Sequence, residues 1–152
     1  MNTNPTPIIK KISARETHAV RHPVLRAGKP LNSCVFEGDD YENTFHLGLY
    51  VNQKLAAVAS FLKNNHPLIP EKHQYQLRGM AVLHEFQKKG LGKEILNHAE
   101  TILKQKNTDV IWCNTREGAV NFYRNCNFNI IGEPFVIKDI GLHFIMSKYL
   151  KV

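Results

Sequence analysis

The stretch Leu77-Arg78-Gly79-Met80-Ala81-Val82-Leu83-His84-Glu85-Phe86-Gln87-Lys88-Lys89-Gly90-Leu91-Gly92 decides how this chain is read. Residues 74–83 have the composition of a strand, polar at the start and apolar at Met80-Ala81-Val82. Residues 92–106 form the best helix pattern in the chain, with Ile95, Leu96, Ala99, Ile102 and Leu103 recurring on one face. A short glycine-bearing loop joins the two. The first N–H groups of a helix have no intrahelical acceptor, and the helix dipole adds partial positive charge there, so such a junction can receive an anion. Gly90 and Gly92 allow the backbone to approach closely because no Cβ intervenes, and Lys88, Lys89 and Lys93 add charge.

A glycine pair ahead of a helix also occurs as a plain strand-to-helix turn, so spacing must discriminate. A Walker-type loop needs a Ser or Thr after Gly92-Lys93, where Glu94 stands, and a glycine five residues before Gly92, where Gln87 stands. A dinucleotide fingerprint needs a glycine at position 95, which is Ile95. Both patterns fail.

Working outward, residues 8–12 read as a first strand and residues 13–25 as helical, with Ser13 and Glu16 in a capping-box spacing and Pro23 blurring the end. Residues 31–44 read as a loop that gathers Glu37, Asp39, Asp40 and Glu42. Two strands, 45–51 and 55–62, flank a turn at Asn52-Gln53-Lys54. Downstream of the main helix come a short strand at 110–113, a helix at 117–126, and strands at 130–138 and 142–149. The order β-α-β-β-β-α-β-α-β-β indicates a mixed α/β sheet with helices packed on it, in one domain over 8–152 preceded by a short tail at 1–7.

The 77–92 stretch resembles the acetyl-CoA-binding motif of the GNAT superfamily of N-acetyltransferases, whose loop is written Q/R-x-x-G-x-G/A after a strand ending in an Ala-Val-like pair. A second match lies in Ala119-Val120-Asn121-Phe122-Tyr123-Arg124-Asn125-Cys126-Asn127-Phe128, which is similar to the family's A-x-x-F-Y-x-x-x-G-F helix and exit. Two correctly ordered motifs are far more specific than one. Asn127 departs from the usual glycine, whose left-handed conformation asparagine is the next residue to tolerate. The resemblance implies a mostly antiparallel twisted sheet flanked by helices, and transfer of the acetyl group of acetyl-CoA to a primary amine of a small molecule or peptide.

It also implies roles. The backbone of Gln87, Lys88, Lys89, Gly90, Leu91 and Gly92, with Lys93 beside it, would hold the coenzyme pyrophosphate. Met80, Ala81 and Val82 would pair with the pantetheine arm through their backbone, and the Met80 amide would meet the thioester carbonyl as an oxyanion develops. Tyr123 would protonate the leaving thiolate, and Asn114 would contact the coenzyme arm. Each has a plainer alternative: Met80, Ala81 and Val82 as core strand, and Tyr123 as a core aromatic. The positions where some relatives carry a glutamate or histidine base hold Gln76 and Arg78, leaving His46, Glu71, His73 or a relayed water as substitutes. His18 and His22 have the i, i+4 spacing of a metal pair, but no carboxylate completes a set, so no metal is expected.

The bulk numbers bound these expectations. At 152 residues, with 43% hydrophobic and 22% charged residues, the chain has room for a real core. No apolar run approaches the roughly 20 residues of a membrane span, and the opening residues lack a signal-like apolar core. Cys34, Cys113 and Cys126 are odd in number and unclustered, which points to free thiols and a cytoplasmic location. The formal charge of +7 suits an anionic ligand; without a basic run or interleaved aromatics, a nucleic-acid partner is not expected. A monomer or homodimer is consistent with all of this. A coenzyme-binding module without turnover is the alternative that the missing strand base suggests.

Overall fold

A computed structural model describes residues 6–151; of the tail expected at 1–7, residues 1–5 lie outside the described residues. The strands are hydrogen-bonded in the order β1-β2-β3-β4-β5-β7-β6, a mixed and mostly antiparallel sheet. These are β1 (Ile8–Ile12), β2 (Phe45–Val51), β3 (Lys54–Lys63), β4 (Gln74–Val82), β5 (Val110–Arg116), β6 (Asn129–Ile137) and β7 (Gly141–Tyr149), with helices α1 (His18–Leu25), α2 (Leu91–Gln105) and α3 (Val120–Asn125). The expected α/β fold class is therefore observed. The chain divides into two compact units, one of residues up to Leu62 with Gly79–Thr101, the other of Lys63–Arg78 with Ile102 onward.

In the first unit the capping box forms as the spacing predicts. The Ser13 N–H donates to Glu16 Oε1 at 3.0 Å, and the Glu16 N–H donates to Ser13 Oγ at 3.1 Å. A 3₁₀ turn at Arg15–Thr17 then leads into α1, so the helix proper is shorter than the 13–25 expected. The β2–β3 hairpin closes on two residues rather than three. Asn52 and Gln53 both have positive φ, 49° and 68°, and Val51 pairs with Lys54. Two left-handed central residues are what a tight hairpin needs to match the strand twist. Val20, Val58 and Ala81 form a buried cluster, with Ile12, Val24, Leu25, Leu55 and Leu83 against it. The loop expected at 31–44 contains a 3₁₀ turn, Leu31–Cys34.

In the second unit Gln74–Gln76 pair in parallel with Val110–Trp112, and β7 pairs antiparallel along the whole of β5. That partner carries β5 to Arg116, beyond the 110–113 read from apolar residues alone. Trp112 sits in a cluster with Ile69, Val110 and Ile145, and its indole N–H donates to the Asn64 carbonyl at 2.8 Å. All three cysteines are buried free thiols.

Candidate active site

The loop after β4 is held from both ends. The Leu83 N–H donates to the Ala56 carbonyl at 2.9 Å, and the Gln87 side-chain amide donates to the Val82 carbonyl at 2.9 Å. Between them lies a 3₁₀ turn, His84–Phe86. Lys88 and Gly90 then take left-handed φ of 63° and 78°. The Gly90 carbonyl accepts from Glu94 N–H at 3.1 Å, the first bond of α2, leaving the preceding amides of Leu91, Gly92 and Lys93 without helical acceptors. A Cβ at Gly90 would meet no described atom within 4 Å, so the position is open as well as left-handed. Gln87, Lys88, Lys89, Gly90 and Lys93 are exposed, while Leu91 and Gly92 are buried. The loop thus offers backbone N–H groups at a helix N-terminus, with Lys88, Lys89 and Lys93 exposed around it.

Inside β4, Gly79 also has a left-handed φ, +64°, a conformation that a regular strand does not use. Ala81 is 3% exposed and packs in the core, whereas Met80 and Val82 are half-buried. The core and backbone readings of this segment are therefore compatible: its buried side chain is that of Ala81, and its neighbours keep access.

The most unusual feature of this unit is one that reading the sequence missed. Arg21 is 0% exposed and forms a two-pronged ion pair with Asp39, at 2.7 and 3.0 Å. Burial works against the Asp39 carboxylate, but Arg21 and the Phe36 N–H, which donates to it at 2.9 Å, hold its pKa below the usual value. Of the four acids gathered in this loop, Asp39 is thus buried in an ion pair, whereas Glu37, Asp40 and Glu42 are exposed. The signal was present: Thr17, Val20, Arg21 and Val24 follow i, i+3, i+4, i+7, which puts an arginine on the inward stripe of α1. An inward arginine demands a carboxylate partner.

A cavity of about 420 Å³ opens beside this pair, lined by Ala14, Arg15, His18, Leu31, Asn32, Val35, Asp39 and Asp40. Burial and the neighbouring Arg21 lower the His18 pKa from 6.5, so its imidazole is neutral at pH 7. His22 bonds the Lys29 carbonyl at 2.8 Å, and among the described residues no three metal-ligating side chains gather.

In the second unit, Asn114 is exposed on β5. Tyr123 is buried in α3, edge-on to Phe122 at 5.0 Å and to Phe128 at 5.3 Å. Burial, with the Cys113 and Cys126 thiols nearby, pushes its phenol well above 10. Of the substitutes considered for a base, His46 and Glu71 have other partners. Both ring nitrogens of His46 are bonded, to Ser60 Oγ at 2.6 Å and the Asp39 carbonyl at 3.0 Å. The Gln76 carbonyl oxygen accepts from the Asn64 side chain at 3.0 Å. Glu71 sits beside the Tyr149 phenol, and His73 is exposed.

A family model described as Acetyltransferase (GNAT) family matches residues 13–128, which covers the capping box, the 87–92 loop and α3. The chain belongs to the GNAT acetyltransferase family. It is 35% identical over 143 residues to the uncharacterized N-acetyltransferase YitI of Bacillus subtilis (strain 168), spanning 94% of this chain and 96% of that one. Its fold is similar to that of an aminoglycoside 6'-N-acetyltransferase complexed with coenzyme A, at a TM-score of 0.76 and 11% identity over 95% of this chain and 98% of that one. It is also similar to the ribosomal-protein-S18-alanine N-acetyltransferase of Escherichia coli, at 0.73 and 18% over 97% and 96%. As a GNAT member the chain is an acetyl-CoA-dependent acetyltransferase. No helix among the described residues is long and apolar enough to cross a membrane.

Proposed function

We propose that the protein transfers the acetyl group of acetyl-CoA to a primary amine of a small molecule or peptide, with the coenzyme pyrophosphate on the 87–92 loop. The observation that carries this reading is the pair of left-handed residues, Lys88 and Gly90, at the open N-terminus of α2. Gln87, Lys88, Lys89, Gly90, Leu91, Gly92 and Lys93 would hold the phosphates, and Met80, Ala81 and Val82 the pantetheine arm. Asn114 would contact that arm as well. The Met80 N–H would stabilise the oxyanion that develops as the amine attacks.

Tyr123 is the proposed proton donor to the departing thiolate. A phenol raised by burial is a weak acid, so the base it meets must be strong. Burial raises thiols as well as phenols, as at Cys113, which it pushes up to about 12. A thiolate released beside Tyr123 would share that environment and could take the phenol's proton.

For the acceptor, the His18 cavity is the favoured place. Exposed Asp40 gives it an anionic edge, neutral His18 a proton acceptor, and Leu31 and Val35 apolar walls. The two structural relatives named above act on an aminoglycoside and on a protein alanine, so both classes belong in a screen. Release of free CoA thiol from acetyl-CoA should be followed over polyamines, amino acids, aminoglycosides and peptides. Amine-dependent release supports the reading; release unaffected by every amine contradicts it.

A further inference from the structure

The Arg21 guanidinium lies directly behind Gly79. Its Nη1 donates to the Cys34 carbonyl at 2.8 Å and to Asp39 Oδ2 at 2.7 Å, and its Nη2 to Asp39 Oδ1 at 3.0 Å and Ser60 Oγ at 2.8 Å. The remaining donor, Nε, is buried and has no partner among the described residues. It lies 3.1 Å from the point a Cβ on Gly79 would occupy, with the Phe36 ring 3.2 Å from the same point. The guanidinium also covers the Phe36 ring, 4.0 Å from its centroid. Arginine plate and aromatic ring together fill the space a side chain at position 79 would need.

Stability alone explains such a group poorly, because a buried ion pair often breaks even with an apolar replacement of similar volume. Its distinctive property is geometric. A planar fork fixed by a carbonyl, a carboxylate and a hydroxyl cannot tilt, and a lysine could not reproduce it. The acceptors are themselves held, since His46 bonds both Ser60 Oγ and the Asp39 carbonyl. Gly79, at φ +64°, turns the next peptide group out of the regular strand, and that group carries the Met80 N–H. Whatever fixes Gly79 fixes where this N–H points.

We infer that the Arg21–Asp39 pair is a positioning element for the Met80 amide: it backs Gly79 and so aims the N–H that receives the thioester carbonyl. The inference rests on the role proposed above for Met80. Arg21 touches no substrate and acts only through the strand.

The test uses acetyl-CoA carrying ¹³C at the thioester carbonyl, whose infrared band moves down in frequency when the oxygen accepts a hydrogen bond. In the parent the bound band should lie below that of free acetyl-CoA. In Arg21→Lys and in Gly79→Ala it should return toward the free position, with turnover down about 10²-fold, as a misplaced reacting group predicts. The Kd for CoA, which has no acetyl carbonyl, should not change. If Arg21→Lys does not fold, Gly79→Ala makes the same comparison from the strand side. A band that keeps its parental position in the folded variants, even with a lowered Tm, overturns the positioning role alone. A parental band at the free position overturns the Met80 role and this inference with it.

Discussion

The Phe128 N–H donates to the Tyr123 carbonyl at 3.0 Å, closing the end of α3 across a left-handed Asn127 with φ 70°. The Asn127 N–H reaches the Arg124 carbonyl at 2.9 Å in the same closure. This is how a helix ends when a glycine normally stands there, and asparagine takes its place at modest cost. Asn127→Ala should destabilise the protein by about 1–2 kcal/mol in denaturant unfolding, while Asn127→Gly should match or exceed the parent. Equal stability for the alanine variant would mean that the left-handed turn is not what holds Tyr123 in place.

Tyr123→Phe keeps the ring that packs on Phe122 and Phe128 and removes only the hydroxyl. Turnover should fall by roughly 10²–10⁴-fold while coenzyme affinity holds, since general-acid catalysis contributes on that order. Parental turnover in the variant would return Tyr123 to a purely structural place in the core.

Neighbouring carboxylates should behave oppositely. Because the folded pKa of Asp39 is lowered, its contribution to stability is present above the ordinary carboxylate range and is lost as pH falls through the lowered value. Between about pH 5 and pH 3 the parent Tm should therefore fall more steeply than that of Asp39→Asn, which starts lower because Arg21 is left unpaired. Asp40→Asn should instead raise the KM for a cationic amine, more at low salt than at high, since exposed charge is screened within about 8–10 Å at physiological ionic strength. Parallel pH curves for parent and Asp39→Asn would refute the buried pair as an acid-sensitive support. An unchanged amine KM at low salt would remove Asp40 from the acceptor's path.

Much of the fold was legible because local chemistry and final structure agree. The Ser13–Glu16 box, the α2 stripe and the strand before the loop stand where composition and spacing put them, and Asn127 takes the left-handed turn that the family motif implies. What the sequence hid depends on partners far along the chain. β5 extends to Arg116 because β7 pairs with it, and nothing local to Asn114-Thr115-Arg116 announces that. The acids of the 31–44 loop look alike in sequence, yet Arg21, 18 residues from Asp39, makes that one a buried ion-pair partner. The His18 cavity escaped for the same reason: its walls come from α1, the turn before it and a distant loop. The strand–loop–helix junction at 87–92 was legible because its elements are contiguous in the sequence.

Coenzyme binding at that loop is the central claim, and thermal unfolding with and without acetyl-CoA measures it directly. At 100 times its Kd, acetyl-CoA should stabilise the parent by about 2.7 kcal/mol, seen as a raised Tm. Gly90→Val should abolish the shift, because a β-branched residue resists φ 78° and its side chain enters the open space above the loop. Gly92→Val should do the same from the first turn of α2. An acetyl-CoA shift undiminished in both variants would contradict the assignment of the pyrophosphate to residues 87–92.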